Sequence, residues 1–281
     1  MHDLAGKTAL VTGASRNIGA AIAERLAAAG ALVAVNYASN AAAAAEVVRG
    51  IEAAGGEAFA VGARLGKPGE VAKLVAEVEA ELTRRRGDPG LDILVNNIGG
   101  STVRSEDTMD AAGNVVKTYS TVEVGGVIER EFDEVDIRLL DDIFDLNVFA
   151  PFLVTQALLP HIRDHGRIIN ISSVATRTMT RNQIVYNMSK AALEMFTKTL
   201  AKDVGRRGIT VNSVGPGITE TETVASRWTD PERRKPVERG TLLGRFGRPD
   251  DIADFVHALA GPAGRWVTAQ TIEASGGLQF L

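Results

Sequence analysis

The stretch "TALVTGASRNIG", residues 8–19, decides how the rest of the chain is interpreted. Its first four residues favour a strand, a glycine-containing turn follows, and the Ala- and Leu-rich segment 20–29 after the turn is typical of a helix. A turn between a first strand and a first helix directs backbone N–H groups and the positive end of the helix dipole toward the carboxyl edge of a sheet. The stretch therefore predicts a site for the pyrophosphate of a nucleotide, with an ordinary tight turn as the alternative.

The turn departs from the usual glycine-rich pattern at its middle position, where Asn17 stands between Gly13 and Gly19. That position requires a positive φ angle or a close approach of another backbone segment. Among residues that carry a side chain, asparagine adopts the left-handed region most readily. We therefore expect Asn17 to have a positive φ angle and the turn to be preserved.

Strand-like and helix-like segments alternate along the whole chain. The expected strands are 8–11, 31–36, 57–61, 91–95, 167–171, 209–214 and 271–274, and the longer expected helices include 70–85, 139–162 and 183–206. Alternation of this kind predicts βαβ units and a parallel sheet. The apolar runs "ALVAV", "DILV" and "RIINI" indicate strands covered on both faces. The expected fold is α/β, a single-domain Rossmann-type doubly wound parallel sheet with helices on both faces, over residues 1–281.

The composition limits the classes of function. The 281 residues include no cysteine, which excludes a disulfide framework and a cysteine-based metal site. The net charge of −4 argues against a nucleic-acid partner. No apolar run has the length of a membrane span, and no leader pattern begins the chain, so a cytoplasmic protein is expected. The two histidines of "HIRDH", 161–165, lack the glutamate of a zinc protease, and no metal is predicted.

A second group of motifs lies downstream. "YNMSK", residues 186–190, places Tyr186 and Lys190 four residues apart, on one face of a predicted helix. Ser173 stands thirteen residues earlier, at the end of a predicted strand, and Asn147 lies in the long predicted helix. "NNIG", 96–99, follows another strand, and "VGPGITET", 214–221, comes after the tyrosine motif. In this order these elements resemble the short-chain dehydrogenase/reductase family over essentially the whole chain, with 3-oxoacyl-carrier-protein reductase-like members nearest.

The resemblance implies a role for each of four catalytic residues. Tyr186 would be the general acid that protonates the carbonyl oxygen, and the Lys190 cation would lower the pKa of its phenol and hold the nicotinamide ribose. Ser173 would donate a hydrogen bond to the substrate oxygen, with Ser172 as the competing candidate. Asn147 would bend its helix and hold a water molecule that links Lys190 to solvent.

The cofactor is expected to be NADP(H), with NAD(H) less favoured. The stretch "VNYASN", 35–40, lacks the acidic residue that grips the ribose 2′-hydroxyl in NAD sites, and Arg16 would attract a 2′-phosphate. By resemblance, Asn97 and Gly99 would pass along the adenosine ribose, and 216–221 would contact the nicotinamide end. The residues assigned to the cofactor are Thr12, Gly13, Ser15, Arg16, Asn17, Ile18, Gly19, Asn36, Tyr37, Ser39, Asn40, Asn97, Gly99, Tyr186, Lys190, Pro216, Gly217, Thr219 and Thr221.

Some segments depart from the family pattern. Arg64 replaces the usual Asp after the third strand, so it either stacks on the adenine or faces solvent, and Ala269 replaces a usual Gly. The connection at about 101–132 is longer than usual, and its "VVKTYSTVEV" alternates in a way that predicts a small hairpin. This insertion is expected to be a lid or a subunit contact. A second specificity element is expected at about 220–245, with Trp228 and Leu242–Leu243 as its apolar anchors.

Together these features predict an NADP(H)-dependent oxidoreductase that interconverts a ketone, with a 3-oxoacyl compound as one option, and the corresponding alcohol. The alternative is a non-catalytic protein of the same fold that senses NADP(H) or regulates a partner. The expected partners are a small-molecule carbonyl or alcohol substrate and further copies of the chain. By resemblance, those copies form a tetramer or a dimer through the helix at 139–162.

Overall fold

The computed structural model describes residues 2–67, 69–100, 103–109, 115–121, 132–179, 183–227 and 229–278. Within these ranges seven strands form one sheet: β1 (Thr8–Val11), β2 (Leu32–Tyr37), β3 (Glu57–Gly62), β4 (Leu91–Asn96), β7 (Ile162–Ile171), β8 (Thr210–Pro216) and β9 (Thr271–Ala274). Their order across the sheet is β3-β2-β1-β4-β7-β8-β9, and all neighbouring strands are parallel. The strand order reverses between β1 and β4, which opens a crevice at their carboxyl ends, where ligands bind in such sheets.

Helices cover both faces of this sheet. The helices are α1 (Asn17–Ala28), α2 (Ala41–Ala53), α3 (Glu70–Arg86), α4 (Ile137–Phe144), α5 (Ala150–Leu158), α6 (Ala175–Thr178), α7 (Ile184–Val204), α8 (Glu222–Arg227), α9 (Pro231–Arg239) and α10 (Pro249–Ala260). Side chains of β1 alternate between two cores: Ala9 and Val11 pack with α1, α2 and α10, whereas Leu10 packs with α3, α5 and α7. This two-sided burial explains the continuous apolar runs, and the predicted doubly wound fold is confirmed.

The predicted helix over 139–162 is wrong at its C-terminal end and in its regularity. Helix α4 passes into a π-helical turn at Asp145–Phe149, α5 ends at Leu158, and β7 already begins at Ile162. Pro160 gives the physical reason, because the residue before a proline disfavours the helical region and helices usually end there. His161 therefore lies in a turn and His165 in β7, so the two are not on one helix face.

The insertion contains the predicted hairpin strand. Strands β5 (Val103–Met109) and β6 (Val115–Thr121) form an antiparallel pair, with Val103 opposite Thr121. A hairpin is present in the insertion, as predicted, but the described part of "VVKTYSTVEV" forms only its second strand. The first strand precedes the motif and was not predicted. Residues 122–131 lie outside the described ranges.

No helix among the described residues is both long enough and apolar enough to span a membrane. In the same ranges, no cluster of three or more histidine, aspartate or glutamate side chains is placed to hold a metal ion.

Candidate active site

The turn after β1 has the predicted backbone. Gly13 has a φ angle of 62° and Asn17 one of 51°, so Asn17 does occupy the left-handed region. A Cβ atom at Gly19 would lie 2.4 Å from the carbonyl oxygen of Gly13, so the close packing of helix on turn requires glycine there. Helix α1 has no side-chain cap and no acidic residue in its first turn. Its N-terminal N–H groups and dipole therefore favour an anion.

Two neighbouring strands hold this turn in place. Thr12 Oγ1 accepts hydrogen bonds from the backbone N–H groups of Asn97 (3.0 Å) and Ile98 (3.1 Å), so Thr12 ties the turn to the segment that follows β4. The Asn97 side chain donates to the carbonyl oxygens of Thr12 (2.9 Å) and Gly13 (3.1 Å). Asn97 was expected along the adenosine ribose, but its side-chain N–H groups are engaged with the turn itself.

The end of β2 also supports the turn. Asn36 is buried, its Oδ1 accepts from the N–H of Gly13 (3.1 Å), and its amide donates to the carbonyl oxygens of Val61 and Ala63 (both 3.2 Å). This expected cofactor residue thus joins β2, β3 and the turn. Tyr37 packs against Gly62: a Cβ atom added to Gly62 would lie 2.9 Å from the Tyr37 hydroxyl. Tyr37 is therefore a packing residue.

Solvent reaches the residues expected around a 2′-phosphate. Arg16, Ser39 and Asn40 are exposed, and Ser15 is half-buried. Asn40 Oδ1 accepts from the N–H of Ala43 (2.9 Å) and so caps α2. The guanidinium of Arg16 lies 3.6 Å from the carboxylate of Glu222, with both side chains about half exposed.

Ile18 and Arg64, which were also considered for the cofactor site, make contacts that do not assign them a role there. Ile18 packs partly against the core on the α1 side of the sheet. Arg64 is half-buried and its backbone N–H donates to Glu70 Oε2 (2.6 Å), which leaves both interpretations of its side chain open.

Helix α7 carries the tyrosine and the lysine. Lys190 is 3% exposed, its Nζ donates to the carbonyl oxygen of Ile171 (2.9 Å), and Nζ lies 5.8 Å from the centre of the Tyr186 ring. Burial lowers the pKa of Lys190 to about 8, and the nearby Glu194 carboxylate opposes this shift. Burial also raises the pKa of the Tyr186 phenol, opposed by its hydrogen bond with Ser173. The expected lowering of the tyrosine pKa is therefore not found, because desolvation outweighs the hydrogen bond.

Asn147 sits within the π-helical turn, so the helix is irregular at this residue, as expected. Its Oδ1 accepts from the N–H of Gly100 (2.9 Å), and its amide donates to the Gly100 carbonyl (3.0 Å) and to Ser189 Oγ (2.9 Å). A Cβ atom at Gly99 would lie 2.8 Å from Lys190 Nζ and 3.0 Å from Asn147 Oδ1. Gly99 thus lies beside Lys190, and its contact with the adenosine ribose stays a prediction.

The two serines after β7 have different partners. Ser173 Oγ accepts from the N–H of Ala175 (3.1 Å) and is hydrogen bonded to the Tyr186 hydroxyl. Ser172 is 4% exposed and donates to Glu194 Oε1 (2.7 Å). Ser173 is therefore the serine that stands beside the tyrosine. Sequence reasoning missed Glu194, although its position four residues after Lys190, on the same helix face, was a usable signal.

The loop after β8 approaches the same site. The Pro216 carbonyl accepts from the N–H of Val174 (3.0 Å), which ties this loop to the segment after Ser173. A Cβ atom at Gly217 would lie 2.7 Å from the backbone of Ser275, so glycine is needed there. Thr219 is buried and donates to the Gly217 carbonyl (3.1 Å), and Thr221 Oγ1 accepts from Val224 N (3.3 Å) at the start of α8. Both threonine hydroxyls therefore have partners within the loop.

The segment 220–245 contains α8 and α9. Arg234 makes ion pairs with both Glu220 and Glu238, and Lys235 pairs with Glu232 (2.8 Å). Leu242 and Leu243 are 71% and 69% exposed, so they are not the apolar anchors that the sequence predicted. Trp228 lies outside the described residues.

Comparison with known proteins identifies a matching family and several whole-length relatives. The sequence profile of the family described as short chain dehydrogenase matches residues 7–232. The chain is 43% identical to the angucycline C-6 ketoreductase LanV, solved with bound NADP, with a TM-score of 0.84 over 98% of this chain and 96% of that chain.

Two further relatives span nearly the whole chain. The 3-oxoacyl-[acyl-carrier-protein] reductase of Synechocystis sp. is 36% identical over 99% of both chains. The hydroxynaphthalene reductase-like protein Arp2 of Metarhizium brunneum is 37% identical over 98% of this chain and 96% of its own. The matched profile, these whole-length similarities and the parallel sheet show that the chain is an oxidoreductase belonging to the short-chain dehydrogenase family.

Proposed function

We propose that this protein reduces a ketone to an alcohol with NADPH, and that Tyr186, Ser173, Lys190 and Asn147 carry the reaction. The observation that carries the proposal is the hydrogen bond between Ser173 and Tyr186 beside the buried Lys190 ammonium. Two hydroxyls at one point supply two donors for a single carbonyl oxygen. Such donors stabilise the negative charge that develops on that oxygen during reduction.

The residues of the turn fit a nicotinamide dinucleotide with a 2′-phosphate. The uncapped N-terminus of α1 suits the pyrophosphate, and the end of β2 carries no carboxylate over residues 35–40. The ion pair of Arg16 with Glu222 is long and exposed, so it contributes little and can be exchanged for a phosphate. The NADP bound to LanV supports the same choice.

The side chains then have separate tasks. When bound, the reduced nicotinamide supplies a hydride. Tyr186 donates its phenolic proton to the substrate oxygen, and Ser173 holds that oxygen in place. Lys190 remains charged below a pH of about 8 and favours the phenolate left behind. Asn147 fixes the Gly99–Gly100 backbone against Lys190.

We propose a substrate ketone that adjoins a fused aromatic ring system. Support comes from the LanV ketoreductase and the hydroxynaphthalene reductase-like relative, both of which are named after cyclic compounds. Exposed apolar side chains also flank the site along the chain: Met179 is 76% exposed six residues after Ser173, and Ile184 is 39% exposed two residues before Tyr186. Such side chains suit the flat apolar face of an aromatic ring.

A carrier-bound 3-oxoacyl substrate is less favoured. The basic residues of segment 220–245 that would meet a carrier protein include Arg234 and Lys235. Both are already neutralised by glutamates, Arg234 by two of them. Charge complementarity with an acidic partner is correspondingly weak.

The test is a spectrophotometric assay of NADPH oxidation with 1-tetralone and 2-tetralone as aromatic cyclic ketones and acetoacetyl-CoA as the open-chain 3-oxoacyl comparison. The wild type should turn over a tetralone with a higher kcat/KM than acetoacetyl-CoA, and with NADPH preferred over NADH. Tyr186→Phe should lower kcat by at least 100-fold, while NADPH binding measured by fluorescence is unchanged. Equal rates for wild type and Tyr186→Phe would overturn the catalytic assignment, and a preference for acetoacetyl-CoA would overturn the substrate class.

A further inference from the structure

A single carboxylate oxygen joins the segment around Ser173 to the helix that carries Tyr186. Glu194 lies on α7, one turn after Lys190, and its Oε1 accepts hydrogen bonds from Ser172 Oγ (2.7 Å) and Thr176 Oγ1 (3.0 Å). Ser172 and Thr176 flank Ser173 on either side. Neither hydroxyl belongs to the four residues assigned to the reaction, so their shared acceptor needs its own explanation.

The geometry around Ser173 shows what this acceptor controls. The backbone of the segment is fixed to β8, because the N–H of Ser172 donates to Val214 O (2.7 Å) and that of Val174 to Pro216 O (3.0 Å). Tyr186, however, belongs to α7. The distance between the serine and tyrosine hydroxyls thus depends on how the segment is held against α7, and Glu194 makes that connection through two side chains.

The Thr176 hydroxyl lies within hydrogen-bond distance of two acceptors. Its Oγ1 lies 3.1 Å from the carbonyl oxygen of Ser173 and 3.0 Å from Glu194 Oε1, so its one proton is shared between two acceptors. The carboxylate therefore competes with the turn's own hydrogen bond for this proton.

We propose that Glu194 is a positioning residue, which sets the placement of the Ser173 hydroxyl relative to Tyr186 by accepting hydrogen bonds from Ser172 and Thr176. This inference rests on the reduction proposed above. Both hydrogen bonds end on one oxygen, so the acceptor, not the full charge, is the requirement. Glutamine retains a side-chain oxygen, and alanine retains none.

The experiment compares Glu194→Gln and Glu194→Ala at pH 6.5, where Lys190 stays charged in both. Glu194→Ala should lower kcat at least tenfold and change the KM for NADPH less than twofold, whereas Glu194→Gln should keep kcat within threefold of wild type. Hydrogen–deuterium exchange at the amides of 172–178 should be at least tenfold faster in Glu194→Ala and unchanged in Glu194→Gln. A purely structural role would not give rescue by glutamine together with a selective loss of kcat.

The double variant Ser172→Ala/Thr176→Val removes both donors while leaving Glu194 in place, and it carries the test if Glu194→Ala does not fold. It should reproduce the loss of kcat and the faster exchange. Near wild-type behaviour of these variants, or a Glu194→Gln enzyme as impaired as Glu194→Ala, would overturn the inference. Exchange requires no turnover, so failure of the proposed reduction, shown by equal rates of wild type and Tyr186→Phe, is distinguishable from failure here.

Discussion

At the scale of single residues, the pKa values of Lys190 and Tyr186 are shifted in opposite directions. Burial lowers the pKa of Lys190 to about 8 and raises that of Tyr186 above its usual value near 10. Between pH 8 and 10 the tyrosine keeps its proton, whereas the lysine loses its charge. Lys190 should therefore limit reduction on the alkaline side.

We expect kcat/KM for ketone reduction to be level up to about pH 8 and then to fall with a slope approaching tenfold per pH unit. The Glu194 carboxylate opposes the lowering of the lysine pKa, so Glu194→Gln should move this alkaline limb to lower pH. The measurement is a pH profile of wild type and Glu194→Gln with the same ketone and saturating NADPH. A wild-type profile that stays level to pH 9.5 would refute the assignment of the limb to Lys190.

Ala269 has a strained backbone conformation. Its φ angle is 60°, and for an L-residue the left-handed region costs roughly 1–2 kcal/mol. Ala269→Gly removes this strain but gives the unfolded chain more freedom, so a net stabilisation of about 0.5–1 kcal/mol is expected. Thermal or denaturant unfolding checks it, with Ala76→Gly as the control.

Ala76 is exposed in the middle of α3, where glycine costs about 1 kcal/mol relative to alanine. The two identical substitutions should therefore have opposite signs. Destabilisation by both would mean that the strain at Ala269 is already relieved by its packing against the core.

Residues whose roles could be predicted from sequence depend on local contacts, whereas residues whose roles could not be predicted contact segments that are distant in the sequence. The left-handed Asn17 follows from local chemistry, and the place of Ser173 follows from its spacing to Tyr186. Asn97 and Asn36 were assigned to the cofactor from their place in a motif, yet their amides bond backbone atoms of distant segments. Glu194 was missed because its partners lie 18 and 22 residues away, across a strand-to-helix connection.

At the scale of elements, Asn17 connects the nucleotide turn with the first helix of segment 220–245. Its Oδ1 accepts from the N–H of Glu222 (3.2 Å), the first residue of α8. A glycine at position 17 would fit the same φ angle but could not make this bond. The asparagine that departs from the glycine pattern thus joins the two sides of the crevice.

Asn17→Gly should leave the KM for NADPH within about twofold and accelerate hydrogen exchange in residues 222–227. Asn17→Asp keeps the acceptor and should leave that exchange unchanged, but its negative charge at the helix N-terminus should raise the KM for NADPH at least fivefold, since an anion binds there. Mass-spectrometric exchange and steady-state kinetics measure both effects. Slow exchange of α8 in Asn17→Gly would show that the bond does not order the helix.

The boundaries of elements show where sequence patterns stop being sufficient. Strand β9 was predicted at its observed bounds, because glycines and a short β-branched run delimit it. The segment 139–162 has a continuous apolar periodicity, and periodicity does not distinguish an α-helix from a π-helical turn. Pro160 indicated that α5 ends before it, but the prediction followed the apolar pattern instead.

At the scale of the whole molecule, the parallel sheet was predictable because its central strands β1, β2 and β4 are buried along nearly their whole length and consist mainly of apolar residues. The hydrogen bonds between buried polar side chains of the sheet and its covering helices could not be predicted from the sequence. Asn96 donates to Asn170 Oδ1 (2.8 Å) and to Thr155 Oγ1 (2.9 Å), and Asn170 donates to Thr197 Oγ1 (2.8 Å). All four residues are buried. Their pairing depends on the register of β4 against β7 and on the helices behind them, which only the assembled fold defines.

An apolar face on α5 and α7 predicts self-association. Phe149, Phe152 and Leu153 are 43–50% exposed along the π-helical turn and α5, and Met188 and Met195 are 47% and 61% exposed on one face of α7. The two helices adjoin, since the rings of Phe152 and Phe196 are 5.5 Å apart. Large contiguous apolar patches on a protein surface mark interaction sites, and the same face on a second copy is self-complementary in a two-fold dimer.

We expect the wild type to be a dimer or tetramer in light scattering at micromolar concentration, and Phe152→Asp/Met195→Glu to dissociate it by at least one step. Placing two like charges opposite their symmetry copies in a desolvated contact costs several kcal/mol, far more than one side chain's apolar burial returns. Arg49→Glu on exposed α2 changes the net charge by the same −2 and should leave the assembly intact. If both variants keep the wild-type mass, this face is not the interface, and if both dissociate, net charge and not the apolar contact governs assembly.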